Sequence, residues 1–205
     1  VVAFRGTQEI EDILTDISAF KRFKKELSGK IHSGFYQAFL DIYPQLEKCL
    51  SIYKAKRQPV IFTGHSLGGA LALLAAKWWY DFGGIVARVV TFGCPRVFVK
   101  DSARFYDLNS LTFRYEASGD VIPHLPLLLM GYAHVGSCIY LSDHKILQHT
   151  WFLRRLFGLA VLARTQGKKH SIKNYISILN DEQKETVKLH KPIFLSLVFL
   201  LCSCS

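Results

Sequence analysis

One stretch, Pro59–Tyr80, constrains the fold of this chain more than any other. It reads PVIFTGHSLGGALALLAAKWWY: an apolar β-branched and aromatic run, a glycine-rich turn, and a run dominated by Ala and Leu. The first run is typical of a buried strand and the last of a buried helix. The turn carries G-x-S-x-G at Gly64–Gly68, so strand, turn and helix follow in the order that a nucleophile elbow requires. We therefore interpret Ser66 as a nucleophile, against the alternative that it only caps the helix.

The sequence resembles the class 3 lipases, the fungal-type triacylglycerol lipase family, over roughly Val1–Leu179. Four motifs carry the similarity: Arg5–Thr7, Gly64–Gly69, Gly93–Val97 and Asp120–Leu125. The resemblance implies an α/β-hydrolase, with a mostly parallel central sheet and helices on both faces. Because the chain starts inside an apparent strand, we expect it to be a fragment or a processed chain that lacks the first strands of this fold. We expect the hydrolase domain to span residues 1–190.

An acid follows the alternating segment Ser110–Ala117, which predicts a strand. Thr112, Arg114 and Glu116 share one face of it, which we expect to be the wetter face. Asp120 lies in the turn beyond this strand, where an acid can orient a catalytic imidazole. The resemblance gives Asp120 that role, and the alternative is an ordinary turn residue.

Three histidines compete for the role of the base: His144, His149 and His170. His144 fits a loop after His134–Leu141, which we expect to be the last strand of the sheet. His170 opens an amphipathic helix with H-S-x-x-x-Y, as the catalytic histidine does in many class 3 lipases. We prefer His170 because of this similarity, and Ser66, Asp120 and His170 then follow in the order of α/β-hydrolases.

An ester hydrolase also needs donors where negative charge develops on the substrate oxygen. The backbone N–H of Leu67, directly after Ser66, is one candidate at a predicted helix N-terminus. The resemblance gives the second role to Thr7, which follows Arg5-Gly6 as in the family. The alternative for Thr7 is a turn residue or a helix cap.

Charge and hydropathy bear on the partners of the protein. The net charge is +10 and half of the 205 residues are hydrophobic. A strongly basic chain favours an anionic partner. No nucleic-acid-binding module is recognisable, so we expect no nucleic acid and favour peripheral contact with an anionic membrane or lipid interface, against an ordinary solvated basic face. The five cysteines show neither a disulfide framework nor metal-ligand spacing.

Several segments keep more than one interpretation. Glu9–Phe20 has helical periodicity and, by resemblance, forms the lid or its hinge. The basic run Lys21, Arg22, Lys24 and Lys25 that follows is either a solvated helix end or a basic rim beside the active site. Residues 145–163 either lie in a lipid interface or cover the sheet. The apolar tail at residues 191–205 is an anchor, a buried strand or an artefact of a gene boundary.

Together these features predict a serine hydrolase that cleaves carboxylic esters of lipids through a Ser-His-Asp triad, without a cofactor or metal. Phospholipase A1 or general esterase activity is the near alternative. A non-catalytic, hydrolase-like module that binds membranes is the alternative of another class. The sequence does not decide between a membrane-associated and a secreted protein.

Overall fold

A computed structural model of the protein describes residues 1–6, 23–26, 29–142, 145–148 and 169–186. The strands in chain order are β1 (Val2–Phe4), β2 (Phe23–Glu26), β3 (Gly29–His32), β4 (Val60–His65), β5 (Val86–Phe92), β6 (Phe98–Val99), β7 (Thr112–Ala117), β8 (Tyr132–Ala133), β9 (Ser137–Ser142) and β10 (Lys145–Gln148). The helices are α1 (Ser33–Ala55), α2 (Leu67–Asp81), α3 (Lys100–Arg104) and α4 (Ile172–Thr186).

The central sheet runs in the order β1-β4-β5-β7-β9-β10 among the described strands. The first five strands are parallel to one another, and β10 pairs antiparallel with β9. This confirms the mostly parallel sheet. The expectation that His134–Leu141 is the last strand is wrong, because β10 lies outside β9. The carboxyl ends of parallel strands meet at one edge of such a sheet, where ligands bind in open α/β folds.

A second, antiparallel sheet of the described residues has the order β2-β3-β6-β8. Lys24 and Lys25 lie in β2, opposite Ile31 and Lys30 of β3. The helix-end interpretation of the basic run is therefore wrong for these two lysines. Lys21 and Arg22 lie outside the described residues.

One amphipathic helix, which is α1, is predicted within Ile31–Lys54 by the apolar periodicity of Phe35, Phe39, Ile42, Leu46, Leu50 and Tyr53. It buries Phe35, Phe39 and other large side chains, but Tyr53, which the periodicity placed on the same face, is 46 % exposed near the helix end. The presence of Pro44 predicts a kink or a restart of this helix. The helix is not interrupted there, since Pro44 lies inside a single helix.

The sheet separates two apolar clusters. Along β5, Val89 packs in a cluster with α1 and α2, whereas the next residue, Val90, packs in a cluster with Tyr175 and Leu179 of α4. Successive side chains of a strand point to opposite faces. The helices therefore cover both faces of the sheet, as expected. Helix α2 is buried almost throughout, which explains its lack of a polar face.

The prediction that one face of β7 is in contact with water is wrong. Thr112, Arg114 and Glu116 are all buried. Arg114 forms an ion pair with Glu116, and its Nε–H donates to the carbonyl of Val135 at 2.7 Å. A buried charge is tolerated when it is paired and hydrogen-bonded, so polar residues on this face did not require water.

Several sequence-based expectations lie outside the described residues: Thr7, the segment Glu9–Phe20, His144, His149, residues 149–163 and the tail at 191–205. Within the described ranges, no helix has both the length and the apolar character needed to cross a membrane.

Candidate active site

Ser66 lies between β4 and α2, at the carboxyl edge of the sheet. Its backbone has φ 56° and ψ −125°, a conformation that a residue with a side chain rarely adopts. Such a backbone costs about 1–3 kcal/mol and persists only where the surrounding structure enforces it. The Ser66 N–H donates to the carbonyl of Phe92 at 2.9 Å, and its side chain makes no helix-capping hydrogen bond. The capping alternative therefore does not describe Ser66, and the geometry is that of an elbow.

Glycine makes this turn sterically feasible. A Cβ placed on Gly68 would lie 2.2 Å from the carbonyl oxygen of Phe4, so only glycine lets β1 approach the start of α2 this closely. A Cβ on Gly6 would lie 3.4 Å from Cβ of Ser66. The end of β1 is therefore packed against the elbow.

Asp120 lies just past β7 and is buried. Its carboxylate oxygens lie 2.9 and 3.0 Å from Nδ1 of His170. It also accepts hydrogen bonds from the hydroxyl of Tyr175 at 2.6 Å and from the N–H of Ile122 at 2.9 Å. These donors satisfy a carboxylate that burial would otherwise disfavour.

His170 is buried directly before α4. Because a carboxylate accepts hydrogen bonds, Nδ1 carries the proton in the neutral ring and Nε2 presents its lone pair. Nε2 has no hydrogen-bond partner among the described residues, and neither has the buried Oγ of Ser66. Oγ of Ser66 and Nε2 of His170 therefore form no hydrogen bond with each other here, whereas a nucleophile and its base work within such reach of each other.

The backbone brings Ser66 close to the Asp120–His170 pair. Gly93, directly after the carbonyl that binds the Ser66 N–H, has φ +56°. A Cβ on Gly93 would lie 2.8 Å from Oδ2 of Asp120 and 2.9 Å from Cε1 of His170. Glycine is required here because a side chain would displace the pair.

Two neighbours of the pair were not assigned a role from the sequence. Tyr175 ends the H-S-x-x-x-Y motif that begins at His170. Its hydroxyl donates to Asp120 at 2.6 Å and accepts from the N–H of Ala117 at 3.0 Å. His65 contacts the backbone of His170. Both belong to quoted motifs, H-S-x-x-x-Y and G-H-S-L-G, so the signal was present, but their partners lie far away in the sequence.

Only one of the two predicted oxyanion donors lies among the described residues. Leu67 is the first residue of α2, so its backbone N–H lies at a helix N-terminus beside Ser66. Thr7 lies outside the described residues, although the preceding residue, Gly6, contacts the elbow.

Cys94 follows Gly93 but has the character of a core thiol. Burial raises its pKa to about 12, so it remains protonated near neutral pH. Among the described residues, no three His, Cys, Asp or Glu side chains are grouped in a way that could hold a metal ion.

The family model for lipase (class 3) matches residues 1–130. The chain belongs to the class 3 lipase family. A lipase of Rhizopus niveus is 32 % identical over 145 residues, which cover 66 % of this chain and 36 % of that protein.

Solved structures of class 3 lipases agree with the fold. The Rhizomucor miehei lipase in its propeptide complex matches with a TM-score of 0.60 at 28 % identity, covering 69 % of this chain and 48 % of that one. A mono- and diacylglycerol lipase from Aspergillus oryzae matches with a TM-score of 0.65 at 26 % identity, covering 84 % and 66 % respectively. The fold is thus the α/β-hydrolase fold, and the chain spans about a third to two thirds of the length of these relatives.

Proposed function

We propose that this class 3 lipase homologue is a serine hydrolase that cleaves carboxylic esters of lipids. One observation carries the proposal: a strained, buried serine directly follows His65, and His65 contacts a buried histidine whose Nδ1 is bound to an aspartate and whose Nε2 has no partner among the described residues. Because Asp120 binds Nδ1 of His170, Nε2 is the ring nitrogen that can accept a proton.

The proposed reaction has two steps. In the first, Oγ of Ser66 attacks the ester carbonyl carbon while its proton moves to Nε2 of His170. Asp120 holds the ring and stabilises the imidazolium, which then gives its proton to the leaving alcohol as the C–O bond breaks. In the second, water attacks the acyl-enzyme, its proton moves to His170 and then to Ser66 Oγ, and the fatty acid leaves.

The oxyanion formed in each step needs hydrogen-bond donors. We assign one to the N–H of Leu67, which the α2 N-terminus orients and supports with its dipole. We assign the second to Thr7, on the family motif and on the packing of Gly6 against Ser66. Loss of one such donor typically lowers kcat about 10²–10³-fold.

The substrate class is proposed from the relatives. The Rhizopus niveus and Rhizomucor miehei relatives are named lipases, and the Aspergillus oryzae structure is of a mono- and diacylglycerol lipase. We therefore propose acylglycerol esters as the substrates, in preference to phospholipids or soluble short-chain esters.

The test compares Ser66→Ala with Ser51→Ala, a matched change at an exposed site on α1. Wild-type protein and Ser51→Ala should hydrolyse a diacylglycerol and a p-nitrophenyl acyl ester. Ser66→Ala should retain the circular dichroism of the wild type and lose activity by at least about 10³-fold. Folded wild-type protein without turnover would favour the non-catalytic membrane-binding module, and turnover of phospholipid alone would favour phospholipase A1.

We further propose that the protein docks on anionic lipid. The support is its net charge of +10, since each basic side chain near an anionic surface contributes about 1 kcal/mol within a Debye length. Hydrolysis of diacylglycerol in vesicles should be faster with anionic than with neutral lipid, and the difference should shrink as salt rises. Equal rates across the salt series would reject docking and leave the esterase proposal standing.

A further inference from the structure

His65, the residue before the proposed nucleophile, takes no part in the chemistry above, yet it contacts the proposed base. Its Nε2 lies 2.6 Å from the backbone carbonyl oxygen of His170, although the two residues are 105 positions apart. The two imidazole rings are 4.5 Å apart between centroids and tilted by 32°. Strand β4 thus holds the turn that precedes α4.

The hydrogen bond from His65 to the carbonyl of His170 shows which ring nitrogen of His65 carries a proton. A carbonyl oxygen only accepts, so Nε2 of His65 carries the proton and donates it. Burial, followed by the nearby His170, lowers the pKa of His65 to about 4. His65 is therefore neutral near pH 7 and does not compete with His170 for a proton.

Asp120, the hydrogen-bond partner of the His170 ring, does not fix the distance between His170 and Ser66. Asp120 binds only Nδ1, and a ring held at one nitrogen can swing its opposite nitrogen away from Ser66. The contact from His65 binds the main chain of His170, and His65 is covalently joined to Ser66. It therefore links the backbone of the base to the backbone of the nucleophile by one short hydrogen bond.

We propose that His65 is a positioning residue that holds His170 within reach of Ser66 by binding the carbonyl of His170. This inference rests on the proposed function for its kinetic consequence. An error of about 1 Å in the placement of a reacting group can cost about 10²-fold in rate, so a single backbone anchor is sufficient to affect kcat.

Two substitutions in the full-length protein separate the hydrogen bond from mere packing. His65→Gln keeps an N–H donor at a similar reach, and His65→Phe keeps an aromatic ring against His170 but has no donor. We expect His65→Phe to lower kcat about 10²-fold with KM changed less than about threefold, and His65→Gln to stay within about fivefold of the wild type. Full activity in His65→Phe, or equal losses in both variants with wild-type melting temperatures, would overturn the inference.

A second measurement does not depend on turnover. In the Ser66→Ala background, proton NMR of the His170 Nδ1–H bound to Asp120 should show a protected signal with His65 or Gln at position 65, and a broadened or lost signal with Phe. An unchanged signal in the Phe variant would overturn the inference. A wild-type protein that hydrolyses no ester would contradict the proposed function, whereas the NMR comparison would still decide whether His65 positions His170.

Discussion

Two buried carboxylates lie four residues apart, and their partners give them different properties. Glu116, on β7, forms an ion pair with Arg114 and has Nε2 of His134 at 3.7 Å. Asp120, just past β7, is bound by His170, Tyr175 and the backbone. A guanidinium keeps its charge at all accessible pH values, whereas an imidazole can take up and release a proton near neutrality. The first pair is therefore a fixed ion pair, and the second can take part in proton transfer.

Side chains near Glu116 also hold the loop that begins at Asp120. The guanidinium of Arg96 donates to the carbonyls of His124 and Pro126, and Nε2 of His134 donates to the carbonyl of Pro123 at 2.6 Å. Burial, followed by Arg114 and Arg96, holds the pKa of His134 well below its usual value. A neutral His134 thus anchors the loop that begins at Asp120.

The largest effects are expected when Asp120 and Glu116 are neutralised one at a time. Asp120→Asn leaves an amide that favours the wrong tautomer of His170, so kcat should fall about 10⁴-fold with the fold retained. Glu116→Gln removes the charge that pairs with Arg114, so it should lower the free energy of unfolding by about 3 kcal/mol while kcat stays within about threefold. Urea unfolding and ester hydrolysis measure the two effects.

Asp101→Asn, a change at an exposed site in α3, is the matched control and should alter neither quantity. If Asp120→Asn kept its activity, or if Glu116→Gln lost as much activity as Asp120→Asn, the distinction between the two carboxylates would be wrong.

The next effect concerns pH and the histidines around these carboxylates. The pKa of His65 is about 4 in the folded protein because burial and His170 disfavour its cation, against partial compensation from Asp120. Between pH 6.5 and 4 the unfolded chain binds more protons at this site. Stability that is fully present above pH 6.5 is therefore lost as the pH falls, by about 3 kcal/mol at pH 4.

Urea unfolding of the wild type and His65→Gln at pH 7.5 and pH 4 tests this expectation. The variant should lose about 3 kcal/mol less stability on acidification, with His134 contributing to the loss in both proteins in the same direction. Equal losses in the two proteins would show that His65 is not buried in its neutral form.

The smallest effect is expected at Tyr175, whose hydroxyl donates a hydrogen bond to Asp120. Tyr175→Phe removes the hydroxyl that donates to Asp120 and accepts from the N–H of Ala117. Burial raises the pKa of Tyr175 well above 10, so the hydroxyl remains a donor at all working pH values. We expect a loss of about 1.5–3 kcal/mol in stability and about a tenfold lower kcat.

Tyr53→Phe, at an exposed position on α1, is the control and should behave as the wild type. A Tyr175→Phe variant with normal kcat would assign Tyr175 to packing alone.

Local patterns predicted the elements that carry the elbow. The apolar run and the Ala- and Leu-rich run at Pro59–Tyr80 became β4 and α2, with Ser66 between them. These features depend on short-range sterics and burial, which residues close together in the sequence determine. The mostly parallel order of the central sheet followed from the family motifs.

Long-range contacts were not predictable in the same way. The second sheet contains β6 and β8 of two residues each and a charged β2, which carry no periodic signal. The burial of Arg114 and Glu116 depends on their pairing, and the contact of His65 with His170 joins distant parts of the chain. Alternation alone cannot distinguish a paired buried charge from a solvated one.

Labelling with a fluorophosphonate, followed by peptide mass spectrometry, shows directly whether Ser66 is activated, because the reagent reacts with an activated serine. We expect wild-type protein to be modified at Ser66 and Ser51→Ala to be labelled equally fast. We expect His170→Ala and Asp120→Asn to be labelled at least about 10³-fold more slowly. His144→Ala and His149→Ala should label at the wild-type rate. Folded wild-type protein that stays unlabelled would show that Ser66 is not an activated nucleophile, and equally fast labelling without His170 would show that His170 is not its base.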